Sequence, residues 1–180
     1  ILDFYKDVSN FSKKNILFFY LIIFFFIFFD SYLQFLTGKN IFGFEIINYR
    51  ISSIFASELI LGSFLLKLLP IILFLFFYSN INIKNNLLLI IIFFSLYFSV
   101  IFIAGGRSAF FLMLLFILFS ILLIRDFRYI FNLSLFLLLL FIASTFIFEF
   151  GKSNPGNRMF IKTFNQITNN IKVKKENEIL

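Results

Sequence analysis

Residues 16–36 read ILFFYLIIFFFIFFDSYLQFL, an unbroken apolar run whose single charge, Asp30, lies near its C-terminal end. Its length matches the roughly 20 residues that a helix needs to cross a ~30 Å hydrocarbon core. Four further runs of the same kind follow at about 58–78, 87–104, 109–124 and 129–148. The pattern predicts an all-α, polytopic transmembrane helical bundle of about five spans within residues 1–148, followed by a polar segment at 149–180.

Composition points the same way. The chain is 61% hydrophobic, 23% aromatic and only 14% charged, with a mean hydropathy of +1.01. A soluble domain of that make-up would be covered in exposed apolar surface. The 34 Phe residues read as lipid-facing bulk rather than as a functional signal. With no Cys and no His, thiolate metal sites, disulfides and imidazole catalysis are all excluded within these residues. Chemistry must use carboxylates, Lys, Arg, hydroxyls or amides. No metal-ligand cluster, Gly-rich nucleotide loop or Ser/His/Asp set is present, so neither metal nor cofactor is expected.

The net charge of +7 is read through topology rather than as a sign of nucleic-acid binding. Lys6, Lys13, Lys14, Lys84, Arg125 and Arg128 fall on one side of five crossings, against Lys39, Arg50 and Arg107 on the other. The positive-inside rule then predicts a cytoplasmic N-terminus. The first run is too long for a signal-peptide core and is expected to stay as a helix. The chain begins at Ile1 rather than Met and ends in a polar stretch without a closing span, which predicts a piece of a longer protein.

Polar residues interrupt the runs mainly at one end. Asp30 is costly within a span and calls for a partner or an aqueous cavity, unless headgroup water reaches it. Gln34, one turn later, shares its helical face. Glu58 opens the second run, where a carboxylate also complements a helix dipole. Arg50 and Arg107 would face the same side; they read either as interfacial anchors or as forks gripping phosphate oxygens. Lys67 either snorkels or faces the bundle interior, and Pro70 is placed to kink the second span. The turn Ala104-Gly105-Gly106-Arg107-Ser108 is short enough to force an antiparallel helical hairpin.

In order and spacing, four elements resemble the O-antigen ligase and O-antigen polymerase family of bacterial membrane proteins. They are Asp30-x3-Gln34-x3-Gly38-x-Asn40-x2-Gly43, Arg50-Ile51-Ser52-Ser53-Ile54-Phe55, Glu58-x3-Gly62-Ser63-Phe64-Leu65 and Gly105-Gly106-Arg107-Ser108-Ala109-Phe110. Two departures stand out: Ser53 where the family often has Gly, and Gly106 where it often has Glu. The resemblance implies a GT-C-type scaffold in the bacterial inner membrane. It also implies metal-independent glycan transfer at the periplasmic face, from an undecaprenyl-pyrophosphate-linked donor onto a lipid A core or a growing glycan. In that reading Arg50, Arg107 and Glu58 are catalytic, and Asp30, Gln34 and Arg158 bind substrate. The segment from Asn154 onward would begin a large periplasmic loop carrying the family's functional His. Two other classes remain open, a transporter or flippase segment and a noncatalytic membrane subunit.

Overall fold

The computed structural model describes residues 10–78, 86–124 and 127–147, with positions 155, 156, 164 and 168. Five helices fall on the five apolar runs: α1 (Asn10–Thr37), α2 (Leu61–Tyr78), α3 (Leu87–Ile103), α4 (Arg107–Leu123) and α5 (Arg128–Ile147). Among the described residues there are no strands, only two isolated antiparallel bridges, Lys39 with Glu45 and Ile47 with Arg50. The fold is all-helical. Two stretches, Asn15–Thr37 and Arg128–Ile147, are long and apolar enough to cross a membrane, while α2, α3 and α4 are shorter apolar helices. Large apolar side chains on both stretches are exposed, among them Phe18, Phe19, Phe29, Leu139 and Leu140.

The second helix begins at Leu61, three residues later than the apolar run suggests. Glu58 donates its N–H to the Phe55 carbonyl at 2.9 Å, and Ala56 holds φ at +52°, so a turn occupies the place of the first helical turn. Glu58 therefore lies outside the helix and is exposed. Lys67 is exposed on α2, which continues through Pro70.

The central element is α3, which packs against α1, α2, α4 and α5. It is apolar on all sides, as a helix surrounded by partners should be. Phe94, Tyr97, Phe98 and Val100 through Ile103 are fully buried. Aromatic rings join it to its neighbours: Phe28–Tyr97 centroids lie 5.7 Å apart and Phe94–Phe131 centroids 5.2 Å apart, both edge-on. Phe thus fills the core as well as covering the surface. On α1 the inward stripe runs Phe24, Ile27, Phe28, Ser31, Phe35 at helical spacing, while Phe25, Phe26 and Phe29 are exposed.

Pro70 deprives the Leu66 carbonyl of its usual N–H donor. One residue away, the buried Tyr97 hydroxyl donates to the Leu65 carbonyl at 2.5 Å, tying α3 to α2 beside the proline. Tyr97→Phe keeps the ring and removes that bond, so thermal unfolding in detergent is expected to show a loss of about 1 kcal/mol. An unchanged midpoint would show that the bond carries no stability.

The N-terminal end of α2 meets the α3–α4 hairpin through small residues. A Cβ on Gly62 would touch the Cβ atoms of Ala104 and Ala109, each at 3.4 Å. This close approach brings the loop before α2 onto the hairpin turn.

Candidate functional site

The loop between α1 and α2 folds as two successive turns. Asn40 donates its N–H to Phe44 O at 3.1 Å and Gly43 donates to Asn40 O at 3.0 Å, with Gly43 at φ +85°. An exposed ion pair, Lys39 Nζ to Glu45 Oε1 at 3.0 Å, sits across this first turn. In the second, Ile47 and Arg50 exchange both backbone hydrogen bonds, at 3.2 and 2.9 Å, around Asn48 and Tyr49. Both central residues have positive φ, +52° and +61°, the signature of a type I′ turn. Asn accepts that conformation readily; Tyr does so at a cost. Arg50 emerges directly from this turn.

The C-terminal end of α1 holds the loop in place. Its inward stripe turns polar there: Asp30, Ser31 and Gln34 are fully buried. Asp30 Oδ1 accepts the Ile41 N–H at 2.8 Å, and Oδ2 accepts the Ser53 hydroxyl at 2.6 Å. Gln34 Oε1 accepts the N–H groups of Ser52 and Ser53 at 3.2 and 2.8 Å, while its Nε2 donates to Phe44 O at 3.1 Å. Asn40 Nδ2 donates to Ser53 O at 2.7 Å, and Asn40 Oδ1 accepts the Phe44 N–H at 2.7 Å. A buried carboxylate is tolerable when its oxygens are bonded in this way. Asp30 and Gln34 share one polar pocket, as their spacing suggests, and the groups that fill it come from the loop.

Arg50 is half-buried on the hairpin turn. Its Nη2 donates to the Leu59 carbonyl just before α2. Gly105 lies under it at φ +69°: a Cβ there would meet Arg50 Cγ at 3.1 Å and Tyr49 O at 3.2 Å. A Cβ on Gly106 would meet Arg50 Nη2 at 3.7 Å. Arg107 follows immediately as the first residue of α4, half-buried, with its Nε buried like that of Arg50. The two arginines predicted from sequence are therefore brought to one turn. Because α4 begins at Arg107, the positive end of its dipole adds to the two guanidinium charges.

Glu58 is exposed at this same end, between the Arg50 loop and α2. Arg158 lies outside the described residues, as do Lys84, Arg125 and Asp126. Among the described residues no group of three or more Asp or Glu could hold a metal ion.

Both departures noted in the sequence have a geometric reading. Ser53 holds φ at +51°, a conformation that suits glycine, and its hydroxyl is engaged by Asp30. Gly106 has φ −85° and ψ 105°, ordinary extended backbone that any residue adopts. A Cβ there would make only ordinary van der Waals contacts, with Ala109 Cβ at 3.6 Å and Arg50 Nη2 at 3.7 Å. Ser53 and Asn40, the hub residues of the loop, were not singled out as site residues. The one signal pointing to Ser53 was its place in the arginine motif.

Comparison with family models, with curated proteins and with solved structures found no match.

Proposed function

We propose that this chain is the membrane part of a glycan transferase that takes its donor as a polyprenyl-pyrophosphate-linked glycan. In this reading all five helices cross the bacterial inner membrane as a GT-C-type polytopic bundle. The N-terminus lies in the cytoplasm, and the Arg50 loop and the α3–α4 turn face the periplasm. The observation that carries the proposal is the seating of Arg50 on the Gly105-Gly106 turn, one residue from Arg107. Two guanidinium groups and a helix N-terminus at one turn suit a doubly phosphorylated leaving group.

The reaction forms a glycosidic bond between an acceptor hydroxyl oxygen and the anomeric carbon of the donor glycan. The bond from that carbon to the pyrophosphate oxygen breaks, and its electron pair leaves with the polyprenyl pyrophosphate. Arg50 and Arg107 stabilise the charge that develops on the leaving oxygen. The hydroxyl proton passes to a base, which the family resemblance places in the loop beyond residue 149. Neither a nucleotide sugar nor a metal is required. The acceptor is a lipid A core or a growing glycan, and Glu58 lines the approach at that end.

Full-length protein reconstituted in liposomes with lipid-linked glycan and acceptor tests this directly. New glycosidic linkage with release of polyprenyl pyrophosphate, in the absence of an ion gradient, is the expected result. Movement of lipid-linked glycan across the bilayer with no new linkage would assign the chain to transport instead.

A further inference from the structure

We propose that Ser53 and Asp30 form a latch that keeps the α1–α2 loop in a strained shape and so positions Arg50 on the hairpin turn. Four non-glycine residues of this loop have positive φ: Asn48, Tyr49, Ser53 and Ala56. Such conformations persist only where surrounding contacts over-determine them. Ser53 is held on every side. All three of its polar groups are engaged, the N–H by Gln34, the carbonyl by Asn40 and the hydroxyl by Asp30, at 2.8, 2.7 and 2.6 Å. Its side chain is fully buried, so the bond to Asp30 is shielded from water.

The segment from Arg50 to Ser53 is short and its last three residues are buried. Fixing Ser53 at one end and the Ile47–Arg50 turn at the other leaves Arg50 little freedom to leave Gly105. Ser53 and Asp30 are thus positioning residues that act through Arg50 rather than by touching substrate. Their role in catalysis rests on the function proposed above; the latch itself is a statement about loop geometry and is tested without any activity.

Trypsin cuts after arginine, and the Arg50–Ile51 bond is protected while Ile51 is buried. Limited proteolysis of the purified full-length protein in detergent, well below its unfolding temperature, therefore reads the latch at the residue it positions. Ser53→Ala removes the hydroxyl and keeps the strained Cβ, so cleavage at Arg50 is expected to rise about tenfold or more. Ser53→Gly removes the hydroxyl and the strain together, and cleavage is expected to be slower than in Ser53→Ala. Added to Asp30→Ala, Ser53→Gly is expected to slow cleavage again, a rescue that Ser53→Ala does not give. If the Asp30→Ala variant does not fold, the two single Ser53 variants decide the matter alone. Faster cleavage in Ser53→Gly than in Ser53→Ala, or no difference of either from the parent, would overturn the latch. A latch that behaves as expected in a protein without glycan transfer would leave this inference standing and remove the proposed function.

Discussion

Alanine in place of Arg50 is expected to lower glycan transfer by about 10²–10³-fold, the loss that follows removal of one preorganised donor from a developing anion. In the proposed reaction charge grows on the pyrophosphate as the bond to the sugar breaks, so the effect is expected mainly on kcat, with a smaller change in KM for the lipid-linked donor. Arg50→Lys should recover only part of the rate, because a compact ammonium cannot reproduce the planar two-pronged contact. Arg50 also donates to the Leu59 carbonyl. Rates must therefore be expressed per monodisperse protein, and Arg50→Gln, which keeps an N–H donor in place of the charge, separates the structural bond from the electrostatic one. The account expects Arg50→Gln to fold like the parent and to stay slow. Rates within about twofold of the parent in both variants would remove Arg50 from the chemistry.

Gly105→Ala is expected to damage the same function from the other side of the contact. Position 105 holds φ +69°, and an added Cβ would come within 3.1 Å of Arg50 Cγ and 3.2 Å of the Tyr49 carbonyl oxygen. The second of these is backbone and cannot turn aside, so the loop must lift or the hairpin must shift. Gly43 supplies the control: it has φ +85° and nothing within 4 Å of an added Cβ. Both substitutions carry the left-handed backbone cost of about 1–2 kcal/mol. Gly43→Ala is expected to show that loss in thermal unfolding with transfer rates nearly unchanged. Gly105→Ala is expected to show a larger loss and, as Arg50 moves from the turn, a rate lower by about tenfold or more. Equal behaviour of the two variants would mean that the packing of Arg50 on the turn has no functional weight.

The helices were legible because each apolar run is bounded by polar residues, and five runs became five helices. The start of α2 was not, since Ala56-Ser57-Glu58 contains no Gly or Pro to mark the turn that replaces its first residues. Nor could the sequence separate Phe24 and Phe28, which are buried, from Phe25 and Phe29, which are exposed. A segment apolar on every face carries no helical periodicity, and only its partners decide which side packs. At the site, the Asp30 and Gln34 pairing followed from helical spacing, and the shared end of the two arginines followed from the alternation of successive apolar runs. The partners of Asp30 and Gln34 did not. They are backbone and hydroxyl groups 10 to 23 residues further along, reached only because the loop folds back through left-handed positions. The role of Gly105 under Arg50 is likewise a contact distant in sequence, invisible to any local pattern.

The central claim is that Arg50 and Arg107 act together on one pyrophosphate, and binding measures this most directly. Purified full-length protein in lipid nanodiscs would be titrated with inorganic pyrophosphate, alongside Arg50→Gln, Arg107→Gln and the double variant. The account expects a single site, weakened about tenfold or more by either substitution. It also expects the double variant to lose less than the sum of the two, as for groups sharing one ligand. Unchanged affinity in both single variants would contradict it.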